Sequence, residues 1–324
     1  MGTLRLVVDS PAHAAPVEAP LERLPDLLVD LNNRLWLDIG DPGPDEVALL
    51  QRAFGFHEVA LEDVTRAHER PRCDAYSGYY FIVVYAAEQS ANTIVPQELN
   101  LFWGDRYLVT IHRNTTAVRT ALADARRRWE HHERHHEQGI ASLAYSLFDS
   151  LVDGYFVVQD RVRERMEGIE ESFLRGAEGA ATDLFRLRKE LLRVPRLLAP
   201  TSHVLAEVLR RERHVPEGLQ PYFADIQDHA NHVLAEMDTY RDLLGAALDV
   251  HVFSAFNRLG RIMQRLTAIT VIIMVPNFVA SIYGMNFIHL LPPSDSAYGF
   301  LAVGAFLMVM VAWGFIHSRM LGWL

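Results

Sequence analysis

The hydrophobic and polar positions along the chain follow three successive patterns. Up to about residue 112 the apolar residues come in short runs, at 4–8, 35–39, 79–85, 99–103 and 107–111. These runs are rich in β-branched and aromatic residues and bounded by turn residues, which predicts strands. Asp41-Pro42-Gly43-Pro44 is a turn that opens a helix. Helices are predicted over 22–32, 45–54 and 57–64, so this part reads as an α/β domain with a small sheet.

From about Thr115 the spacing becomes helical and stays so. Leu143, Leu147, Leu151, Tyr155, Val158, Val162, Met166, Ile169 and Phe173 recur every three or four residues, the mark of a long amphipathic helix. A second helix is predicted over 182–213, with kinks at Pro195 and Pro200. A third starts near Pro216-Glu217, and Ile226, Val233, Met237, Tyr240, Leu244 and Ala247 follow heptad-like spacing. After Pro221, near its start, no proline interrupts it before Pro276. One continuous helix from 217 to 283 follows, about 100 Å long at about 1.5 Å per residue. A seam of that length needs partners, which predicts a homo-oligomer.

The third pattern is absence of charge. Residues 266–283 are 18 positions without a charge, and 297–316 are 20 more. Each run covers about 27–30 Å as a helix, the thickness of a hydrocarbon layer. Neither run is N-terminal, so neither reads as a signal peptide. Arg258, Arg261 and Arg265 precede the first span and Arg319 follows the second, while residues 286–296 hold no Lys or Arg. The positive-inside rule places both termini in the cytoplasm and the connecting loop outside. The divisions are a cytoplasmic α/β domain (1–114), long helices and stalk (115–265), a first span (266–283), an external loop (284–296), a second span (297–317) and a short tail (318–324).

Composition narrows the function. The 324 residues carry a formal net charge of −10, which argues against a nucleic-acid partner and allows attraction of cations. Cys73 is the only cysteine, so there is no thiolate metal cluster and no intrachain disulfide. No Gly-rich phosphate loop, nucleophile motif or Walker-type signature is present. An enzyme is not expected, no organic cofactor is implied, and transport would run down a gradient.

Candidate chemistry concentrates on the first span. Thr270, Met274, Asn277 and Ser281 are spaced 4, 3 and 4 apart, so they share one helix face, and Met263 and Leu266 fall near it. Polar groups inside a span usually face the bundle interior or a water-filled path. Asn277 follows Pro276; it reads equally as an ion station or as the donor that satisfies a carbonyl freed by the proline. The span ends in Gly284-Met285-Asn286. A ring of neutral Asn286 amides would suit a cation that keeps its waters. Gly284 would let the chain leave the helix at positive φ with its carbonyl toward those waters, and Met285 would pack the loop. A separate stretch, His131 to His136, repeats histidine at i, i+4. That is transition-metal spacing, though Arg134 within it favours a solvated helix face.

Tyr283-Gly284-Met285-Asn286-Phe287 between two C-terminal spans resembles the signature of the CorA family of divalent-cation channels. Leu61-Glu62-Asp63-Val64 with His68-Glu69-Arg70-Pro71, the segment 149–156 (DSLVDGYF), Pro221-Tyr222-Phe223-Ala224-Asp225 and Tyr240-Arg241-Asp242-Leu243-Leu244 resemble its upstream motifs, in order. The likeness covers about 45–324. It implies a funnel-shaped homopentamer in the plasma (bacterial inner) membrane, with an α+β cytoplasmic domain, a long-helix stalk and two C-terminal transmembrane helices. It implies Mg2+ as both transported and regulatory ion, with Co2+ and Ni2+ as hydrates of similar size. Met263, Leu266 and Met274 match the family's hydrophobic gate. Asp63, with Glu62 beside it, and Asp225 match acids that bind regulatory Mg2+ between subunits. Pro276 sits one residue later than the family's usual proline, Asn277 stands where Thr is common, and Ile288 stands where an acid often follows. Asp295 is then the only acid in the loop. The alternatives are a ZntB-type zinc transporter of the same superfamily, disfavoured by Gly-Met-Asn, and a membrane-anchored metal sensor or scaffold that conducts nothing.

Overall fold

The computed structural model describes residues 3–11, 15–66, 70–90, 93–131, 138–175, 179–210, 215–285 and 297–323. Asn286, Asp295 and the rest of 286–296, His132 to Glu137 of the histidine cluster, and His68-Glu69 lie outside the described residues. The chain divides into two units, Met1–Gly245 and Ala246–Leu324.

In the first unit, among the described residues, seven strands form one sheet. They are β1 (Thr3–Asp9), β2 (Val17–Ala19), β3 (Arg34–Gly40), β4 (Arg72–Tyr76), β5 (Tyr79–Ser90), β6 (Thr93–Gly104) and β7 (Tyr107–His112), in the order β2-β1-β3-β7-β6-β5-β4. β3 and β7 run parallel; the other neighbours are antiparallel. The short helices are α1 (Leu24–Val29), α2 (Pro44–Phe54) and α3 (Glu58–Thr65). The longer ones are α4 (Thr116–His131), α5 (Ile140–Leu174), α6 (Ala180–Leu191) and α7 (Arg193–Arg210). α8 (Gln220–Gly284) begins in this unit, and α9 (Ala297–Met320) lies in the second.

Helices cover both faces of the sheet, so the central strands are apolar on both sides. Phe102 and Trp103 are adjacent on β6 and therefore point to opposite faces. Phe102 stacks on Phe56 at 4.1 Å, beside α2 and α3. Trp103 lies 6.0 Å from Phe223 of α8, and Trp36 meets Trp129 of α4 edge-on at 6.3 Å. Tyr155 of α5 is fully buried and donates to the Tyr85 carbonyl at 2.9 Å. Burial pushes its pKa up, which keeps the hydroxyl protonated as that donor.

Several departures from the sequence expectation have local causes. Two strands, β2 and β4, lack alternation because they are the outermost strands of the sheet. β6 continues through Pro96, where no N–H is available. β7 pairs with β6 only at 99–103, so at Pro96 that side of the strand has no partner to lose. The helix expected over 22–32 is shorter: Asp30 accepts from the Asn32 backbone and side chain at 3.0 and 3.1 Å, a turn that ends α1. The break in the next long helix falls at Leu192, three residues before Pro195. The proline cannot donate to the Leu191 carbonyl and its ring crowds it, so α6 stops there. Pro200 stays inside α7.

The heptad seam of α8 is used within the chain. Phe223, Ile226, Ala230, Val233, Met237 and Leu244 are buried. Phe223 lies 6.2 Å from Phe148 of α5, and His229 lies 5.8 Å from Phe156. This part of the seam is therefore not free to meet another copy of the chain.

A buried polar network pins β3 to β7. Trp36 donates to Thr110 Oγ1 at 3.1 Å, Thr110 donates to Asp38 Oδ1 at 2.5 Å, and His112 Nε2 donates to the same oxygen at 3.2 Å. His112 Nδ1 faces the Arg113 carbonyl at 2.9 Å. Both ring nitrogens point at acceptors, and only the imidazolium can donate from both. Burial opposes the charge, but Asp38, the Arg113 carbonyl and Asp41 outweigh it, so the pKa rises from 6.5. The charged ring then stabilises the fold fully below 6.5, and that contribution is lost as pH rises through the higher folded value. In chemical unfolding from about pH 6 to about pH 8, the wild-type midpoint should fall more than that of His112→Asn; parallel curves would contradict this reading.

Candidate functional site

The second unit carries the exposed face. Met263, Leu266, Thr270, Met274, Asn277 and Ser281 follow one another at steps of 3, 4, 4, 3 and 4 along α8, within an arc of about 80° at about 100° per residue. All six are exposed in the single chain. Their polar members differ in state. Thr270 Oγ1 donates to the Leu266 carbonyl and Ser281 Oγ to the Asn277 carbonyl, each at 2.8 Å. Those protons are committed to the backbone, so each hydroxyl offers outward only lone pairs. The Asn277 side chain makes no hydrogen bond among the described residues. It does not satisfy the carbonyl freed by Pro276, which was one of its two expected roles.

The opposite side of α8 meets α9. A Cβ added at Gly314 would lie 3.2 Å from Ile272 Cγ1, so the two helices touch there. Ala268 and Ser318, one turn away on each helix, are buried among exposed neighbours. This antiparallel seam leaves the six-residue face uncovered. Both helices are long and apolar enough to cross a membrane, and only 6% of each apolar window is buried.

Gly284 ends α8, and Met285 N donates back to the Ile282 carbonyl at 3.2 Å. Gly284 does not adopt the left-handed conformation expected of it. Nothing lies within 4 Å of where its Cβ would stand.

In the first unit, Glu62 and Asp63 lie on α3 and Asp225 on α8. Glu62 pairs with Arg66 at 2.5 Å on an exposed surface. Asp225 is exposed, with Oδ2 3.8 Å from His229 Nε2. Asp63 is half-buried and accepts from Arg72 Nη2. Arg72 also lies 3.2 Å from Asp74 through Nε and sits over the Phe81 ring at 5.5 Å. Sequence reasoning missed Arg72. Its signal was the i, i+2 pairing of Arg72 with Asp74, which puts both on one face of a strand. Among the described residues, no three His, Cys, Asp or Glu side chains gather as a metal cage. The carboxylates are hard oxygen donors suited to Mg2+, and Asp63 shares Arg72 with Asp74.

An α/β domain that shares one helix with a pair of exposed apolar helices defines a membrane protein with a polar stripe on its first span. The sequence matches the family described as CorA-like Mg2+ transporter protein over residues 32–317. It is 32% identical to YfjQ of Bacillus subtilis over 96% of this chain and 95% of that one. It is 27% identical to the cobalt/magnesium transport protein CorA of Thermotoga maritima over 91% of this chain and 85% of that one. The structure resembles that of the complete CorA magnesium transporter from Methanocaldococcus jannaschii, with a TM-score of 0.83, 22% identity and 98% of each chain covered. The chain belongs to the CorA-like Mg2+ transporter family: an ion transporter, not an enzyme.

The Gly314 contact generates a packing prediction. Gly314→Val should push α9 off Ile272 and cost about 1–3 kcal/mol. It should appear as a lower melting temperature of the detergent-solubilised protein, and an unchanged one would remove the seam.

Proposed function

We propose that several copies of this chain, five by the family resemblance, line one pore with the exposed face of α8 and pass hydrated Mg2+ into the cytoplasm. The observation that carries this reading is the six-residue face itself, exposed in one chain, apolar at Met263, Leu266 and Met274, polar at Thr270, Asn277 and Ser281. The exposed apolar residues of the second unit, Phe253, Phe256, Leu259 and Ile262 among them, support the oligomer. The bilayer is the plasma membrane, and both termini are cytoplasmic.

The roles follow from the donor types. Asn286 amides, with the Gly284 carbonyl and Met285 as packing, receive the hydrated ion at the outer mouth. Neutral amides hold its waters without trapping it. Asn277 forms a second amide ring deeper in, since its side chain is not engaged elsewhere. Thr270 and Ser281 add lone pairs that accept from the ion's waters. Met263, Leu266 and Met274 narrow the path where dewetting closes it. The driving force is the membrane potential, about 4.6 kcal/mol per 100 mV for a two-charge cation.

Cytoplasmic Mg2+ closes the pore by bridging Asp63 and Glu62 of one subunit to Asp225 of the next. Asp225 is accessible, and Asp63 is held by Arg72, so the ion and the guanidinium compete for one carboxylate. Loss of the ion would free the carboxylates to repel and shift the population toward open states.

Mg2+ flux into liposomes tests the pore. Asn286→Ala should lower Mg2+ flux, and Asn277→Val should lower it with assembly intact; wild-type flux from both would remove the amide rings. Strong competition by Zn2+ over Mg2+ would move the reading to zinc. For the gate, Asp63→Ala with Asp225→Ala should leave flux insensitive to internal Mg2+. Arg72→Gln should shift inhibition to lower Mg2+. Wild-type inhibition curves from both would sink the gate.

A further inference from the structure

The stripe of α8 that meets α9 continues beyond it as a run of arginines. Ile272 and Ala268 lie on the seam, and Arg265, Arg261 and Arg258 follow at steps of 3, 4 and 3. At about 100° per residue these five positions share an arc of about 80°, on the side of the helix opposite Met263, Leu266 and Asn277. The arginines therefore do not line the proposed pore. α9 ends at Met320, so past Ser318 the seam has no further turns of that helix to cover it. Arg319 stands in the last turn of α9.

Arg258, Arg261, Arg265 and Arg319 make no ion pair among the described residues. α8 carries no acid after Asp249. The carboxyl end of α9 is closed by its own backbone. Gly322 takes φ 70°, Gly322 N donates to the Arg319 carbonyl at 3.1 Å, and Trp323 N donates to the Ser318 carbonyl at 2.9 Å. The last carbonyls are thus satisfied without arginine. In the first unit, by contrast, Arg72, Arg126, Arg128 and Arg165 all pair with carboxylates. Trp313, stacked on His317 at 5.2 Å, and Trp323 sit at the same end, where aromatic rings favour the headgroup level.

We propose that Arg258, Arg261 and Arg265, which continue the seam side of α8 past the end of α9, hold the phosphate of an anionic phospholipid headgroup. Guanidinium forks match phosphate oxygens bidentately, and a basic pocket between two spans is the geometry that retains such headgroups. The acyl chains of the same lipid would lie against the exposed apolar residues beside that seam. The proposal requires that the two helices span a bilayer, but not that they conduct.

Native mass spectrometry of the full-length protein, released from micelles containing equal phosphatidylglycerol and phosphatidylcholine of the same acyl chains, tests it without any flux measurement. Wild type should retain phosphatidylglycerol in preference, and each Arg→Gln change at 258, 261 and 265 should lower retention about fivefold. The single variant R261Q, which leaves Ile272 and Gly314 untouched, gives the same reading if the triple variant fails to assemble. Equal retention of the two lipids by wild type overturns the site. So does unchanged phosphatidylglycerol retention in R261Q, or binding of inorganic phosphate with no preference between the lipids.

Discussion

A helix satisfies its own backbone, and α8 does so for 65 residues. Water can compensate an unpaired N–H or C=O in the first unit; hydrocarbon cannot. An element shared by both environments must therefore be helical throughout its apolar part. This constraint governs the rest. After Pro221 in its first turn, α8 holds no proline until Pro276, and the polar side chains nearby answer to the backbone first. Thr267, Thr270 and Ser281 all donate to carbonyls four residues back. What remains on the exposed face is what the backbone does not need: lone pairs, thioethers and the Asn277 amide.

The two units handle charge in opposite ways. The first binds its arginines into pairs, as with Arg128 against Asp149 and Asp153, and buries one histidine against Asp38. The polar network around His112 fixes β3 against β7, next to where α4 begins. On α8 the second unit carries Arg258, Arg261 and Arg265, which make no ion pair among the described residues, on one side and its polar stripe on the other. A single helix thus separates an exposed stripe with polar members from the face that meets its neighbour.

Much of this was legible along the chain. The strand cores, the long α5, the unbroken α8 and both apolar helices follow from periodicity, because each depends on residues close in sequence. The six-residue face was legible for the same reason, since helical spacing alone assigns it. Other features were not. Arg72 matters only because β4 lies beside the end of α3. Gly314 matters only because Ile272 approaches it, and nothing in an isolated apolar run distinguishes that glycine from Gly304. The heptad spacing of α8 was visible, but not that its early part is filled by α5.

The sequence by itself determined where the chain is helical, where it is apolar enough to cross a bilayer, and which residues share a helix face. These are local consequences of a rise and a turn per residue. Only the tertiary structure decided which faces are covered. It gave the seam of α8 up to Leu244 to the chain's own core, placed α9 against Ala268 and Ile272, and left Asn277 without an internal partner. The reason is that a face is assigned by the 3.6-residue period, whereas its occupant depends on packing between segments far apart in the chain.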